Sequence, residues 1–171
     1  MEIEYFPIVD ASGRTIGKAS RTECHASTFL LHPVVHLHVF NSNNELLLQK
    51  RAASKDIQPN KWDTSVGGHV NYGEQIEVAL MRESAEELGI VDFEPEFLFQ
   101  YPFHSSVEAE LVHSFRCVYD GEIVFERAEI SEVRFWTISE IVDNIGTDIF
   151  TENFEIEFRK LQEVIHQNIL K

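Results

Sequence analysis

The sequence predicts an α+β fold with a mixed β-sheet, and three observations carry the prediction. Residues 33–40 alternate: Val35, Leu37 and Val39 face one side, and Val34, His36, His38 and Phe40 face the other, as in a strand. Residues 75–88 contain no Pro or Gly and are rich in helix formers, with Gly89 as a stop. Residues 151–170 set Phe154, Phe158, Leu161, Ile165 and Ile169 along one helical stripe. Few strands alternate regularly with helices, which favours α+β.

The remaining elements follow in order. Residues 3–9 and 15–20 flank the turn Asp10-Ala11-Ser12-Gly13 and read as a hairpin. Residues 21–31 read as irregular. A turn at residues 41–44 leads to a return strand over 46–50. Residues 51–61 form a polar loop, and residues 62–66 lead into a glycine-bracketed loop. Residues 93–103 are strand-like despite Pro95 and Pro102, and residues 107–119 form another strand. Asp120-Gly121 predicts a hairpin turn into residues 122–125. Residues 133–137 are a strand, and Thr137-Ile138-Ser139-Glu140 reads as a capping box opening a short helix.

Composition sets bounds. The 171 residues predict one domain over 1–171, and 43% hydrophobic and 25% charged residues are ordinary for a globular protein. A net charge of −15 argues against nucleic-acid binding and would repel a phosphorylated substrate unless cations offset it. No apolar run approaches a membrane span, and the start lacks a basic then apolar segment. With only Cys24 and Cys117, the expectation is free thiols in a reducing cytoplasm, away from membranes.

The chemistry centres on residues 68–90. Glu83, Glu86 and Glu87 sit at i, i+3 and i+4, so their carboxylates share one helix face, while Leu80, Met81, Ser84 and Leu88 share another. Arg82 can pair with Glu86, which leaves Glu83 and Glu87 uncompensated. An oxygen-rich cluster of this kind suits Mg²⁺ or Mn²⁺, and a solvated acidic face is the ordinary alternative.

Gly68, Glu74, Arg82, Glu83, Glu86, Glu87, Gly89 and Ile90 stand at the spacing of the Nudix box, and the stretch resembles that of the Nudix hydrolases. Ser84 departs from it, since the pattern asks there for an aliphatic residue. The resemblance implies the Nudix fold, an α/β/α sandwich with the box helix beside a mixed sheet. It implies a hydrolase acting on a small-molecule diphosphate with Mg²⁺ or Mn²⁺ held by Glu83, Glu86 and Glu87. The Gly68 carbonyl would add an oxygen ligand. Glu86, Glu87 or a later residue such as Glu129 would take the proton of water. Glu74 and Arg82 would orient the box. Nudix proteins are often dimers, so a homodimer is a further expectation.

Outside the box the chain resembles the isopentenyl diphosphate isomerases. His25, His32 and His69, with Glu108 and Glu110, stand at the places of their metal ligands, implying a second site for Zn²⁺, Mn²⁺ or Fe²⁺. Glu108 and Glu110 lie two apart on one strand and so face one way. Taken singly, each of the five also reads as an ordinary polar residue. Arg51 and Lys55, ahead of Trp62, match the residues that hold the diphosphate. Two departures oppose isomerisation: Gly67 stands where the isomerases place a catalytic Cys, and the tail from 149 to 154 lacks their Trp. Hydrolysis is therefore the first expectation, with isomerase and a non-catalytic nucleotide-binding module as alternatives. The organic group of the substrate is not legible.

Overall fold

The computed structural model describes residues 3–55 and 57–169, with side chains as far as Ile165. Its sheet is organised around β3, Leu31–Phe40, nearly all of which is buried. β3 runs parallel to β8, Ala109–Val118, and antiparallel to β6, Val66–His69. It meets β4, Leu46–Arg51, only at Phe40↔Leu46, beyond which the two strands separate. The Ser65 hydroxyl bridges that split, donating to Leu47 O and accepting from Val39 N at 2.9 Å. β4 continues the sheet by pairing with β5, Trp62–Asp63, and β9, Ile130–Trp136. β7, Glu96–His104, closes the far edge against β8. An edge position explains how Pro102 is accommodated within a strand.

Helices cover both faces, giving the mixed α/β/α sandwich predicted. On one face α2, Ile76–Leu88, packs Ala79, Leu80 and Leu88 on Val35, Leu37 and Val39. On the other, α4, Glu152–Ile169, packs Phe154, Phe158 and Leu161 with Leu46, Leu48, Trp62 and Trp136. Gly89 ends α2 at φ 67°, a left-handed position that suits glycine. Ser84 is buried on α2 and satisfies its hydroxyl by donating to Leu80 O at 2.7 Å, so the departure from an aliphatic residue leaves no unpaired group. The expected capping box opens α3, Ile138–Asn144, with Thr137 and Glu140 bonded reciprocally.

Two local expectations are corrected. Residues 21–31 are not wholly irregular: Ser20 and Glu23 form a capping box that nucleates α1, Arg21–Cys24, too short to show a period. The segment after Asp120-Gly121 is no strand. Its amides are drawn instead to the end of α2, Val124 N to Leu88 O and Glu126 N to Glu87 O, both at 3.0 Å. Those bonds satisfy carbonyls that a helix C-terminus leaves open. The β1–β2 hairpin, Tyr5–Val9 and Thr15–Ser20, forms as expected. Among the described residues no helix is long and apolar enough to cross a membrane.

Candidate functional site

β6 delivers the glycine loop against the acidic face of α2. A side chain at Gly68 would overlap the Glu83 carboxyl, so glycine lets strand and carboxylate come together. Glu87 accepts from Gly67 N at 3.2 Å and from Gln49 Nε2 at 2.9 Å. Burial raises the Glu87 pKa to about 8, with the Glu83 charge adding to the rise. Burial also raises Glu83, against the pull of Arg82. Glu86 is open to solvent, its side chain 60% exposed. Arg82 makes both expected pairings, with Glu74 and with Glu86, and reaches further. It bonds Glu74 through two nitrogens at 2.8 and 2.9 Å, Glu83 at 2.7 Å, Glu86 at 3.3 Å and His69 O at 2.9 Å. Arg82 and Glu74 thus tie the loop to the helix.

The acidic face opens on a cleft of about 930 Å³. Arg51 and Lys55 line it, as do Gly67, Gly68 and Glu129. Arg51 is steadied by Ile57 O at 3.1 Å and Asp63 at 3.3 Å. Lys55 bonds Glu129 at 2.6 Å, so the expected phosphate-binding cation and the expected later-loop base are partners here.

Beside the loop, four of the five residues of the second constellation converge. One donor atom each from His25, His32, His69 and Glu108 lie within 4.8 Å of one another. His25 Nε2 is 3.2 Å from both His69 Nε2 and Glu108 Oε2. His32 Nδ1 donates to Leu30 O at 2.8 Å, which leaves Nε2 as the bare nitrogen. That Nε2, and Glu108 Oε2, are buried without a hydrogen bond among the described residues. Burial lowers the pKa of all three imidazoles, and of His69 well below the ordinary 6.5, keeping them neutral as ligands must be. Phe6 stacks on His69 at 4.4 Å between ring centroids and holds the ring in place. Three neutral imidazoles, one carboxylate and two orphaned buried atoms fit a transition-metal ion. Glu110 stands outside this group of donors. It lines the cleft, and burial and the Glu108 charge raise its pKa to about 8.

His36 and His38 share a strand face and read from the sequence as candidates to line a pocket, but their buried partner does not. Glu157 on α4 is fully buried, with Oε2 2.5 Å from His36 Nδ1 and Oε1 3.0 Å from His38 Nε2. Burial pulls the His36 pKa down, and the Glu157 charge and hydrogen bond more than reverse it, to about 9. Burial opposes ionisation of Glu157, and the two histidines overcome it, holding its pKa well below the ordinary value. The legible signal was a carboxylate at position 157, on the side of the helix that Phe154, Phe158 and Leu161 bury.

A mixed sheet that presents an acidic helix and a glycine loop to one cleft defines a domain of the Nudix class. The chain belongs to the Nudix family: the NUDIX domain profile matches residues 30–154. It is 31% identical over 149 residues to isopentenyl-diphosphate Delta-isomerase 1 of Photorhabdus laumondii, covering 84% of this chain and 85% of that one. It is 33% identical over 141 residues to the uncharacterised Nudix hydrolase YfcD of Salmonella typhi, covering 81% and 74%. The crystal structure of DR0079 from Deinococcus radiodurans superposes with a TM-score of 0.80 at 25% identity, over 92% of this chain and 98% of that one.

Proposed function

We propose that the protein is a metal-dependent hydrolase of a diphosphate linkage in a nucleoside-diphosphate-type or related organic diphosphate. The observation that carries this reading is the set of Glu83, Glu86 and Glu87 on one helix turn, against Gly68, at the mouth of a cleft that holds Arg51 and Lys55. Those carboxylates would hold Mg²⁺ or Mn²⁺, which supplies positive charge against the diphosphate and lowers the pKa of water. Arg82 fixes the orientation of Glu83 and, through Glu74 and His69 O, the loop that faces it. Arg51, braced by Asp63, meets the phosphate oxygens with a rigid fork, and Lys55 meets them as a mobile point charge once it leaves Glu129. Glu129 then gains a free carboxylate in the cleft, able to accept a proton from water. His25, His32, His69 and Glu108 would hold a separate transition-metal ion beside the loop. Its protein partner would be at most a second copy of this chain, in the cytoplasm.

The test is product formation across a panel, with Mg²⁺ and with Mn²⁺: a nucleoside monophosphate plus phosphorylated X from each nucleoside diphosphate derivative, and a monophosphate ester plus inorganic phosphate from each isoprenoid diphosphate. Hydrolysis that depends on the metal and on Glu86 and Glu87 supports the reading, and none across the panel removes it. Isomerisation of a prenyl diphosphate is the second reading, favoured by the convergence of His25, His32, His69 and Glu108 and opposed by Gly67.

A further inference from the structure

His36 and Gly67 are cross-strand partners of β3 and β6, and both line the cleft. The Nδ1 edge of His36 is taken by Glu157, whose side chain is wholly buried behind it. The opposite edge lies under Gly67: a Cβ there would stand 3.4 Å from both His36 Cδ2 and Nε2. Because residue 67 has no side chain, nothing covers that edge from this flank. No hydrogen-bond partner meets His36 Nε2 among the described residues. With Glu157 keeping the ring cationic, Nε2 carries a hydrogen and is a charged donor facing the cleft.

Another group lining the cleft is also polar. Asn153 accepts from Tyr101 Oη at 2.6 Å through Oδ1, and its amide nitrogen has no hydrogen-bond partner among the described residues. A hydrocarbon chain laid here would strip water from a cationic donor and an amide and return no hydrogen bonds. An oxygen-rich group would satisfy them.

We propose that His36 Nε2, uncovered by Gly67, is the specificity donor of the cleft and takes a hydroxyl or carbonyl oxygen on the organic group of the substrate. The diphosphate ester is therefore one of a sugar or nucleoside, not of a hydrocarbon alcohol. This rests on the reading of the cleft as the hydrolase site.

Steady-state hydrolysis of ADP-ribose, UDP-glucose and geranyl diphosphate tests it in the wild type, Gly67→Val and His36→Leu. Gly67 is in a strand and outside the left-handed region, so valine is compatible with its backbone, and its side chain meets the edge of His36 opposite the one that Glu157 holds. The wild type should favour the first two esters. Gly67→Val should raise their KM about tenfold or more relative to that of geranyl diphosphate, as expected for losing a hydrogen bond from a charged donor. Preference for geranyl diphosphate, or an unchanged KM in both variants, overturns the assignment. If none of the three esters is hydrolysed, the hydrolase reading falls, and the ring nitrogens of His36 decide the subsite separately. A shift of the Nε2 resonance on titration with ADP-ribose, lost in Gly67→Val, upholds it, and no shift in the wild type refutes it.

Discussion

The Glu157 carboxylate meets the His36 imidazole at 2.5 Å across the interface between α4 and the sheet, with neither side chain more than 10% exposed. The same carboxylate reaches His38 at 3.0 Å. One acid on the C-terminal helix thus bonds two histidines of the central strand and fixes the helix over the cleft floor.

That pair makes stability depend on pH in a defined window. His36 is held protonated to about pH 9 against an ordinary 6.5, so its contribution is complete below 6.5 and lost as pH rises towards 9. Glu157 is held ionised below its ordinary 4.5, so its contribution is complete above 4.5 and fades as pH falls further. Glu157→Gln should therefore be most damaging between pH 4.5 and 6.5. There it should cost about 3 kcal/mol, the scale for breaking a buried pair. For a domain of this size that is a fall in Tm on the order of 10 °C. Thermal melts of both proteins from pH 4 to 10 check this, and a Tm difference independent of pH would show that the pair is not ionic.

Glu87 reverses the sign. Its folded pKa of about 8 lies above the ordinary 4.5, so the metal-free protein loses stability as pH rises through that interval. A glutamine at 87 can still accept from Gly67 N and carries no charge. In chelator at pH 9, Glu87→Gln should melt at the wild-type temperature or above it. With Mg²⁺ its hydrolysis should fall by about a hundredfold or more, because a metal ligand is lost. Glu86→Gln should lose activity comparably without unfolding. Normal turnover in either variant would place the catalytic metal elsewhere.

Much of this was legible in the sequence because the signals were local. The box helix follows from helix formers between Gln75 and Gly89, and the shared carboxylate face from their spacing. The His25, His32, His69 and Glu108 cluster was reachable only through family likeness, since α1, β3, β6 and the start of β8 meet by tertiary folding alone. Glu110 joins Glu108 through the same family likeness, and strand periodicity adds only that both face one side, which does not fix the reach of the side chain. The Glu157 pair went unread because its partners lie 121 and 119 positions away. The false strand after Gly121 failed for a related reason: Leu88 and Glu87 carbonyls compete for its amides, and no turn motif reports that.

The His/Glu cluster should retain a transition metal through purification without chelator. Elemental analysis should find zinc, manganese or iron in the wild type and none in His32→Ala, whose bare Nε2 is lost. Glu110→Gln should weaken retention by no more than the roughly ten- to hundredfold typical of groups outside the ligand set. Equal loss in both variants would bring Glu110 into the ligand set, and a metal-free wild type under every condition would make the cluster a polar pocket.

The wild type should not convert isopentenyl diphosphate to its allylic isomer. That reaction moves a double bond, so a group in the cleft must give a proton to one carbon while another removes one from its neighbour. Position 67, which faces the cleft floor, offers only a hydrogen atom. Both thiols of the chain are buried, and burial pushes their pKa up, that of Cys117 to about 12, which leaves them inert near neutrality. On the proposed role of His36, the hydrocarbon group of that diphosphate would also offer its ring no acceptor. Incubation in D₂O followed by proton NMR reads the chemistry directly, because isomerisation carries solvent deuterium into the carbon skeleton. The expected spectrum shows no incorporation, with or without metal. Gly67→Cys places a thiol beside His36 and is the variant in which exchange would first emerge. Incorporation by the wild type at a rate comparable with phosphate release would make this chain an isomerase that works without a thiol.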